Sequence, residues 1–263
     1  YNIRGYWERI MLNVDIRYYD VILSTNSEAA NLARLGATTG TVICAKQQNE
    51  GHGRMQRVWN SPAGGLWFSI ILRPKIDPSS VSQLTLLAGV AVARALRKMY
   101  ETDDIYIKWP NDILLNQKKI AGILSEAYFN ENGDIDYTVV GIGVNVNLKE
   151  KDFVKEIRDT ATSLNLGTGK TYACKKVLQA ILTEFFKLYE GWELNGAHEM
   201  ISAWQFLNCT LGHPVVVKDN DREIFYGIAE SMDSDGSLRV KSSEGIIQNF
   251  NFGEISIRSG MGR

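Results

Sequence analysis

Ile105-Tyr106-Ile107-Lys108-Trp109-Pro110-Asn111-Asp112 is the stretch on which the reading of this chain turns. Ile105 to Ile107 alternates as a strand does, and the strand stops at Trp109-Pro110, because proline has no ladder N–H and holds its predecessor extended. Lys108, Asn111 and Asp112 then stand at a strand end, where a rigid sheet commonly presents functional groups. A plainer reading stands beside it, with Trp109 in the core and the charged residues solvated in a turn.

Two further segments tip the balance toward a site. Gly51-His52-Gly53-Arg54-Met55-Gln56-Arg57-Val58-Trp59 is rich in glycine and carries two arginines; glycines let backbone amides approach an anion and arginines grip its oxygens. The segment is not a Walker A loop, since no Gly-Lys-Ser/Thr follows, and it lacks the third glycine of the dinucleotide fingerprint. Gly141-Ile142-Gly143-Val144-Asn145-Val146-Asn147 follows the strand-like run from Tyr137 to Val140. Its glycines permit close backbone approach, and Asn145 and Asn147 offer the donors and acceptors that suit an adenine edge.

Composition narrows the function classes. The chain has 263 residues, 44% hydrophobic and 22% charged, enough for one large core and a small second domain. A net charge of -1 with no lysine and arginine stripe argues against nucleic acid as a partner. Cys44, Cys174 and Cys209 are odd in number and widely spaced, which makes neither a metal-ligand pattern nor a disulfide framework and predicts reduced thiols in a cytoplasmic protein. No stretch reaches membrane-spanning length, and no signal-peptide core opens the chain.

Periodicity supplies a coarse order of elements. Asp15 to Leu23 reads as a strand, followed by a helix with Thr25 and Glu28 as a capping box and Gly36 as its stop. Val42 to Ala45 and Leu66 to Leu72 read as strands flanking the glycine-rich loop, which is long enough to move and close. Leu84, Leu87, Ala91, Ala95 and Met99 predict a core helix over Val81 to Tyr100. Ile113 to Leu115 and Ile120 to Phe129 form a hairpin about Asn116-Gln117, and a turn at Asn132-Gly133 precedes Asp136 to Val144. The charged residues 149 to 160 read as a solvated surface segment. Helical spacing returns from Tyr172 to Leu188 and from Met200 to Leu207. Short strands then follow, Pro214 to Val217, Ile224 to Ala229, Ser237 to Lys241 and Ile246 to Asn251, with turns at Asp219-Asn220-Asp221 and Asp235-Gly236, which suits a small β-barrel.

At the three quoted motifs the chain resembles the biotin protein ligases, which activate biotin as an adenylate and transfer it to a carboxylase lysine. The motifs stand in the family's order. Further matches are Ser24-Thr25-Asn26, Gln48, Lys119 with Ile120-Ala121-Gly122-Ile123-Leu124 behind it, and Gly253-Glu254-Ile255-Ser256, so the similarity runs from about residue 17 to the end. One departure stands out: the family usually has arginine where this chain has His52. An imidazole is mostly uncharged at neutral pH, so the loop loses a positive charge, which bears on how tightly the adenylate is held and not on the reaction class.

The resemblance implies an α+β fold: a catalytic domain of the class II aminoacyl-tRNA-synthetase-like type with a mixed, mainly antiparallel sheet over residues 1–208, and an SH3-like β-barrel over 209–263. It implies biotin and ATP as substrates, Mg2+ with the nucleotide, and a biotin carboxyl carrier domain as acceptor. By resemblance Lys119 bridges the biotin carboxylate and the reacting phosphate, and Arg54 and Arg57 hold phosphate oxygens. Lys108 supplies a further cation, and Asp112 either binds the metal or orients the incoming lysine amine. Ser24, Thr25 and Gln48 match the family's ureido contacts and Asn26 falls in the same biotin pocket, while Gly122 and the backbone of Gly51, His52 and Gly53 line the valeryl channel. Trp59 packs beside the nucleotide, and Asn111 and Asn145 are candidates for adenine and ribose-phosphate contacts.

Taken as isolated residues, Ser24 and Thr25 read first as a helix cap, Trp59 as a core anchor and Lys119 as a solvated surface lysine after a tight turn, and only the motif context sets these readings aside. A lipoate-type ligase and a non-catalytic biotin or adenylate sensor are the rival readings. Some relatives carry an N-terminal winged helix, for which the 23 residues before Ser24 are too few, so no DNA binding is expected of this chain. A homodimer through an exposed sheet edge is compatible with the reading, and no sequence feature requires it.

Overall fold

The computed structural model describes residues 14–219, 222–251 and 254–257. Of the sequence expectations, the turn at Asn220-Asp221 and Gly253 lie outside the described residues.

Strand β1 (Asp15–Ile22), helix α1 (Thr25–Arg34) and strand β2 (Thr41–Gln48) form a crossover in which β1 and β2 run parallel. Strands β3 (Leu66–Leu72), β4 (Ile105–Lys108), β5 (Asp112–Leu115), β6 (Lys118–Phe129) and β7 (Ile135–Val144) complete a seven-stranded sheet in the order β1-β2-β3-β7-β6-β5-β4. Every pairing except β1 with β2 is antiparallel, so the mixed, mainly antiparallel sheet of an α+β protein is present. The β5–β6 hairpin turns on Asn116 and Gln117 at φ 49° and 65°, the left-handed pair that a two-residue turn between twisted strands requires.

Strand β3 is buried along its whole length because both of its faces are covered. Leu66, Phe68, Ile70 and Leu72 face the main core, while Ile71 joins Ala29, Ala30 and Ala33 of α1 on the other side. Helix α2 (Ser82–Tyr100) lies in the main core, packed against the sheet and against α4 (Cys174–Asn195) and α5 (His198–Leu207). A short α3 (Leu164–Thr168), which periodicity did not reveal, precedes them, capped by the Ser163 hydroxyl.

One expectation moves. The first helix is capped by Ser24, whose hydroxyl accepts from Ser27 N–H at 3.4 Å, and not by Thr25; the Thr25 hydroxyl is taken up by Gln48, and Glu28 accepts from Tyr19. Gly141 and Gly143 lie inside β7, which ends at Val144 as the expected strand Asp136 to Val144 does.

Beyond residue 208, strands β8 (Pro214–Asp219), β9 (Arg222–Met232), β10 (Leu238–Lys241), β11 (Ile247–Phe250) and β12 (Glu254–Ile257) make an antiparallel sheet ordered β11-β10-β9-β8-β12. Strand β12, absent from the alternation, pairs with β8. Val215, Val217, Ala229, Leu238 and Val240 bury into the same core as α2. Trp109, 2% exposed, is the rivet: its backbone N–H donates to Thr210 Oγ1 and its indole N–H to the Gly236 carbonyl, both at 3.0 Å. The turn holding Gly236 also receives Ser82 and Gln83 from the start of α2.

Truncating a buried aromatic at such a seam leaves a cavity, so Trp109→Ala is expected to cost about 3–5 kcal/mol. Trp109→Phe keeps most of the volume and strands the Gly236 carbonyl, costing about 1–3 kcal/mol. Urea unfolding of both variants measures the order.

Candidate active site

A cavity of about 550 Å³ opens between the first turn of α1, the loop joining β2 to β3, the β4–β5 turn and the glycine-bearing faces of β6 and β7. Its floor is a chain of neutral polar groups. Gln48 Oε1 accepts from Thr25 N–H at 2.7 Å and from the Thr25 hydroxyl at 3.0 Å, and Gln48 Nε2 donates to Ser61 Oγ at 2.8 Å. Ser61 in turn donates to the Trp59 carbonyl at 2.9 Å. The Ser69 hydroxyl lies 2.8 Å from Thr25 Oγ1 and 2.6 Å from Asn26 Oδ1, so its single proton serves two acceptors. Asn26 Nδ2 donates to Glu126 Oε2 at 2.6 Å. Both polar ends of Asn26 are thereby engaged, whereas Gln48 keeps a second amide N–H, and the Ser24 hydroxyl its proton, for a ligand.

Paired glycines make the room above this floor. Gly122 of β6 and Gly143 of β7 are cross-strand partners, and the Trp59 indole lies over both. A Cβ on Gly143 would fall 2.5 Å from Trp59 Nε1, and one on Gly122 3.1 Å from the ring. Gly141, two residues earlier on the same face, makes the same allowance for Asn26, whose Oδ1 would be 2.1 Å from a Cβ there. Trp59 meets Trp67 edge to face at 6.4 Å, and its indole N–H is buried without a partner.

The charged groups ring the opening. Lys119 Nζ lies 2.5 Å from Asp112 Oδ1 and 5.1 Å from the Trp59 ring centre. Its backbone is clamped by Thr160 and Thr162, with Lys119 N–H donating to the Thr160 carbonyl at 2.8 Å. Lys108 is the cross-strand partner of Asp112. Asn111 is tied to β6, its Nδ2 donating to the Ile123 carbonyl at 2.8 Å, and Asn145 Nδ2 donates to the Thr162 carbonyl at 2.9 Å. The loop carries Arg54 and Arg57 into the cavity wall. It folds back on itself through Gly53 N–H to Arg57 O and Trp59 N–H to Gly51 O, each 2.8 Å, with Met55 and Gln56 left-handed at its tip. His52 Nε2 stands 3.9 Å from Glu126 Oε1. Arg54, Arg57, Lys108 and Lys119 face two lining carboxylates, Asp112 and Asp152, an excess of positive charge that suits a polyanion.

The site residues singled out in the sequence thus converge on one cavity, though Gly51 underlies the loop, where a Cβ would meet the Trp59 carbonyl at 2.5 Å. The solvated reading of residues 149–160 is only half right. Most of their charged residues are exposed, but Phe153 is 5% exposed against Trp67 and Leu148, and Asp152, Ile157 and Thr160 line the cavity. Three network members went unnoticed in the sequence: Ser61, Ser69 and Glu126. Ser69 left a trace, as a lone hydroxyl inside the apolar run Leu66 to Leu72.

A polar-floored pocket under a ring of cations, over the central strands of this α+β sheet, belongs to the ligases that couple a carboxylate vitamin to protein. Residues 18–145 match the Biotin/lipoate A/B protein ligase family, and residues 210–258 the Biotin protein ligase C terminal domain. The Bifunctional ligase/repressor BirA of Bacillus subtilis (strain 168) is 40% identical over 232 residues, 87% of this chain and 70% of that protein. The Biotin--[acetyl-CoA-carboxylase] ligase of Paracoccus denitrificans is 31% identical, over 84% of this chain and 92% of its own. The structure of the biotin protein ligase from Aquifex aeolicus in complex with biotin and ATP superposes with a TM-score of 0.80 at 30% identity, covering 94% of this chain and 99% of that one. The chain belongs to the biotin protein ligase family.

Two outcomes follow from the packing. Gly143→Ala drives a methyl into the Trp59 indole, so ligase activity is expected to fall at least tenfold with the fold retained, read by turnover alongside circular dichroism. Burial pushes the Cys44 thiol up to about 12 and Cys209 to about 11, the latter against an opposing pull from Lys108, and raises Cys174 as well. A raised thiol pKa leaves little thiolate at pH 8, so an aromatic disulfide reagent should titrate these cysteines in urea and spare them in the native protein.

Proposed function

We propose that the chain joins biotin to ATP, giving biotinyl-5'-AMP and pyrophosphate, and then passes biotin to a lysine of a biotin carboxyl carrier domain. The observation that carries this reading is the arrangement around Lys119. Its ammonium is held by Asp112 beside the glycine pair Gly122 and Gly143, between a pocket floored by neutral polar groups and a loop bearing Arg54 and Arg57.

In the first step an oxygen of the biotin carboxylate attacks the α-phosphorus, the bond to the bridging β-phosphate oxygen breaks, and pyrophosphate leaves. Two anions approach in that step, so the barrier falls where fixed cations meet the developing charge. Lys119 spans the carboxylate and α-phosphate, while Arg54, Arg57 and Lys108 take the remaining phosphate oxygens. In the second step the carrier lysine amine adds to the acyl carbon, the acyl–phosphate bond breaks and AMP departs, with the amine proton lost on the way. Asp112 orients that amine. The Ser24 hydroxyl and the second Gln48 N–H meet the ureido group, Thr25 and Asn26 hold them in place, and His52, Gly51, Gly53 and Gly122 border the valeryl chain. Trp59, Asn111 and Asn145 border the nucleotide. Closing the loop keeps water from the mixed anhydride.

Mg2+ accompanies ATP as part of the substrate. The described residues include no group of three histidine, cysteine, aspartate or glutamate side chains able to hold a metal ion, and Asp112 is already engaged by Lys119. The donor set therefore does not fit a resident protein-bound metal, and no step here runs through one. We place the domain division at 208/209 and read the five-stranded unit as SH3-like, on the strength of its strand order and of the C-terminal family match. No described helix is long and apolar enough to cross a membrane. The three free cysteines suit a cytoplasmic enzyme, and the net charge of -1 suits one that does not bind nucleic acid.

Biotin-dependent ATP–pyrophosphate exchange tests the reading, with lipoate in parallel. Exchange is expected with biotin alone, and Lys119→Ala should reduce it by about 10²–10³. Exchange with lipoate alone would make this a lipoate-type ligase; tight biotin binding with no exchange would leave a sensor.

A further inference from the structure

We propose that Glu126 is a positioning residue for the biotin pocket, its carboxylate joining the first turn of α1 to the glycine loop through Asn26 on one side and His52 on the other. The proposal rests on biotin being the ligand of this cavity. Glu126 projects from the C-terminal half of β6, opposite Val139, and is not among the residues lining the cavity. Its two oxygens address two different elements. Oε2 accepts from Asn26 Nδ2 at 2.6 Å and Oε1 stands 3.9 Å from His52 Nε2.

The Asn26 side is rigid. Its amide is oriented by Ser69 at the oxygen and by Glu126 at the nitrogen, and it fits only because Gly141 has no Cβ. The charged acceptor fixes which way the amide faces, since a carboxylate takes the nitrogen end and cannot take the oxygen end. That orientation is relayed through Ser69 to Thr25, and from Thr25 to Gln48, whose second amide N–H meets the ligand. The His52 side is adjustable. His52 is joined by a β-bridge to Val58 across the base of the loop, so a hold on His52 is a hold on the segment that carries Arg54 and Arg57. The far end of the same loop is tied to the same network by Gln48, Ser61 and the Trp59 carbonyl. Glu126 thus completes a circuit under the pocket that secures the loop at both ends. At the position where the resemblance sets an arginine, this chain makes the Glu126 contact with an imidazole, a cation only when protonated.

The test is a double-mutant cycle on the full chain, reading the biotin dissociation constant by calorimetry and the kinetics of ATP–pyrophosphate exchange. Glu126→Gln should weaken biotin by about five- to tenfold and raise its KM to match, with kcat and the KM for ATP changing less than twofold. His52→Arg should tighten biotin in the native background and lose that gain beside Glu126→Gln. His52→Gln, a loop substitution that leaves the core intact, should weaken biotin in the native background and have no further effect in the Glu126→Gln background, which keeps the proposal open to refutation if Glu126→Gln alone lowers the melting temperature. Biotin binding by Glu126→Gln within twofold of the native protein, a fall in kcat with unchanged biotin KM, or a His52→Arg gain that survives without the carboxylate would each overturn it. Failure of the native protein to bind biotin would instead overturn the reading on which the proposal rests.

Discussion

A tryptophan that must be buried, and whose two N–H groups must both find acceptors once it is, constrains the rest of this molecule. Trp109 satisfies its backbone donor at Thr210 and its indole at Gly236, so the strand it ends is bound to chain that lies a hundred residues later. Proline next in sequence prevents β4 from continuing. The chain therefore turns at once into β5, and Lys108 and Asp112 end up as partners across that turn. The cluster of charge at the cavity mouth is a consequence of where the indole has to go.

From that turn the site propagates through the sheet by register. Asp112 pairs with Gly122, and Gly122 with Gly143, so one row across three strands offers a carboxylate followed by two positions with no side chain. The vacated row takes the Trp59 indole, and Lys119, three residues before Gly122, reaches both the carboxylate and the ring. The ion pair is part-exposed, at 31% and 22% for its two side chains, and pairs of that kind add at most about 1 kcal/mol to stability. Its value is geometric: a flexible four-carbon lysine is held at one point, over a surface flat enough for a ligand to lie against.

Legibility from sequence followed the range of the interaction. The β5–β6 turn was readable because two residues settle it, and α2 because its apolar stripe repeats within one element. The end of β7 at Val144 was legible, but the purpose of its glycines was not: glycine ordinarily weakens a strand, and here the missing side chains admit Asn26 and Trp59, which come from remote segments. The cap of α1 falls at Ser24 and not at Thr25, whose hydroxyl oxygen accepts from Ser69 and whose proton goes to Gln48, both on strands of the sheet. Residues 149–160 looked solvated because charge dominates their composition, yet Phe153 is buried and Ile157, itself partly exposed, lines the cavity. Ser61 and Glu126 left no local signal at all, being ordinary polar residues whose partners lie 13 and 100 positions away.

By itself the sequence determined the chemistry available: four cations, one paired carboxylate, a glycine loop and a set of neutral amides and hydroxyls, carried by strands and helices whose periodicities are local. It also determined that the strand into Trp109 must end, because a proline ring has no N–H wherever the chain folds. Only the tertiary structure decided that these groups share one cavity, that the glycines of β6 and β7 lie side by side, and that a serine within an apolar strand and a glutamate behind the pocket join them. The physical reason is that strand register and buried hydrogen bonds are properties of pairs of distant residues. Such a pair exists only when the core that brings its members together has formed.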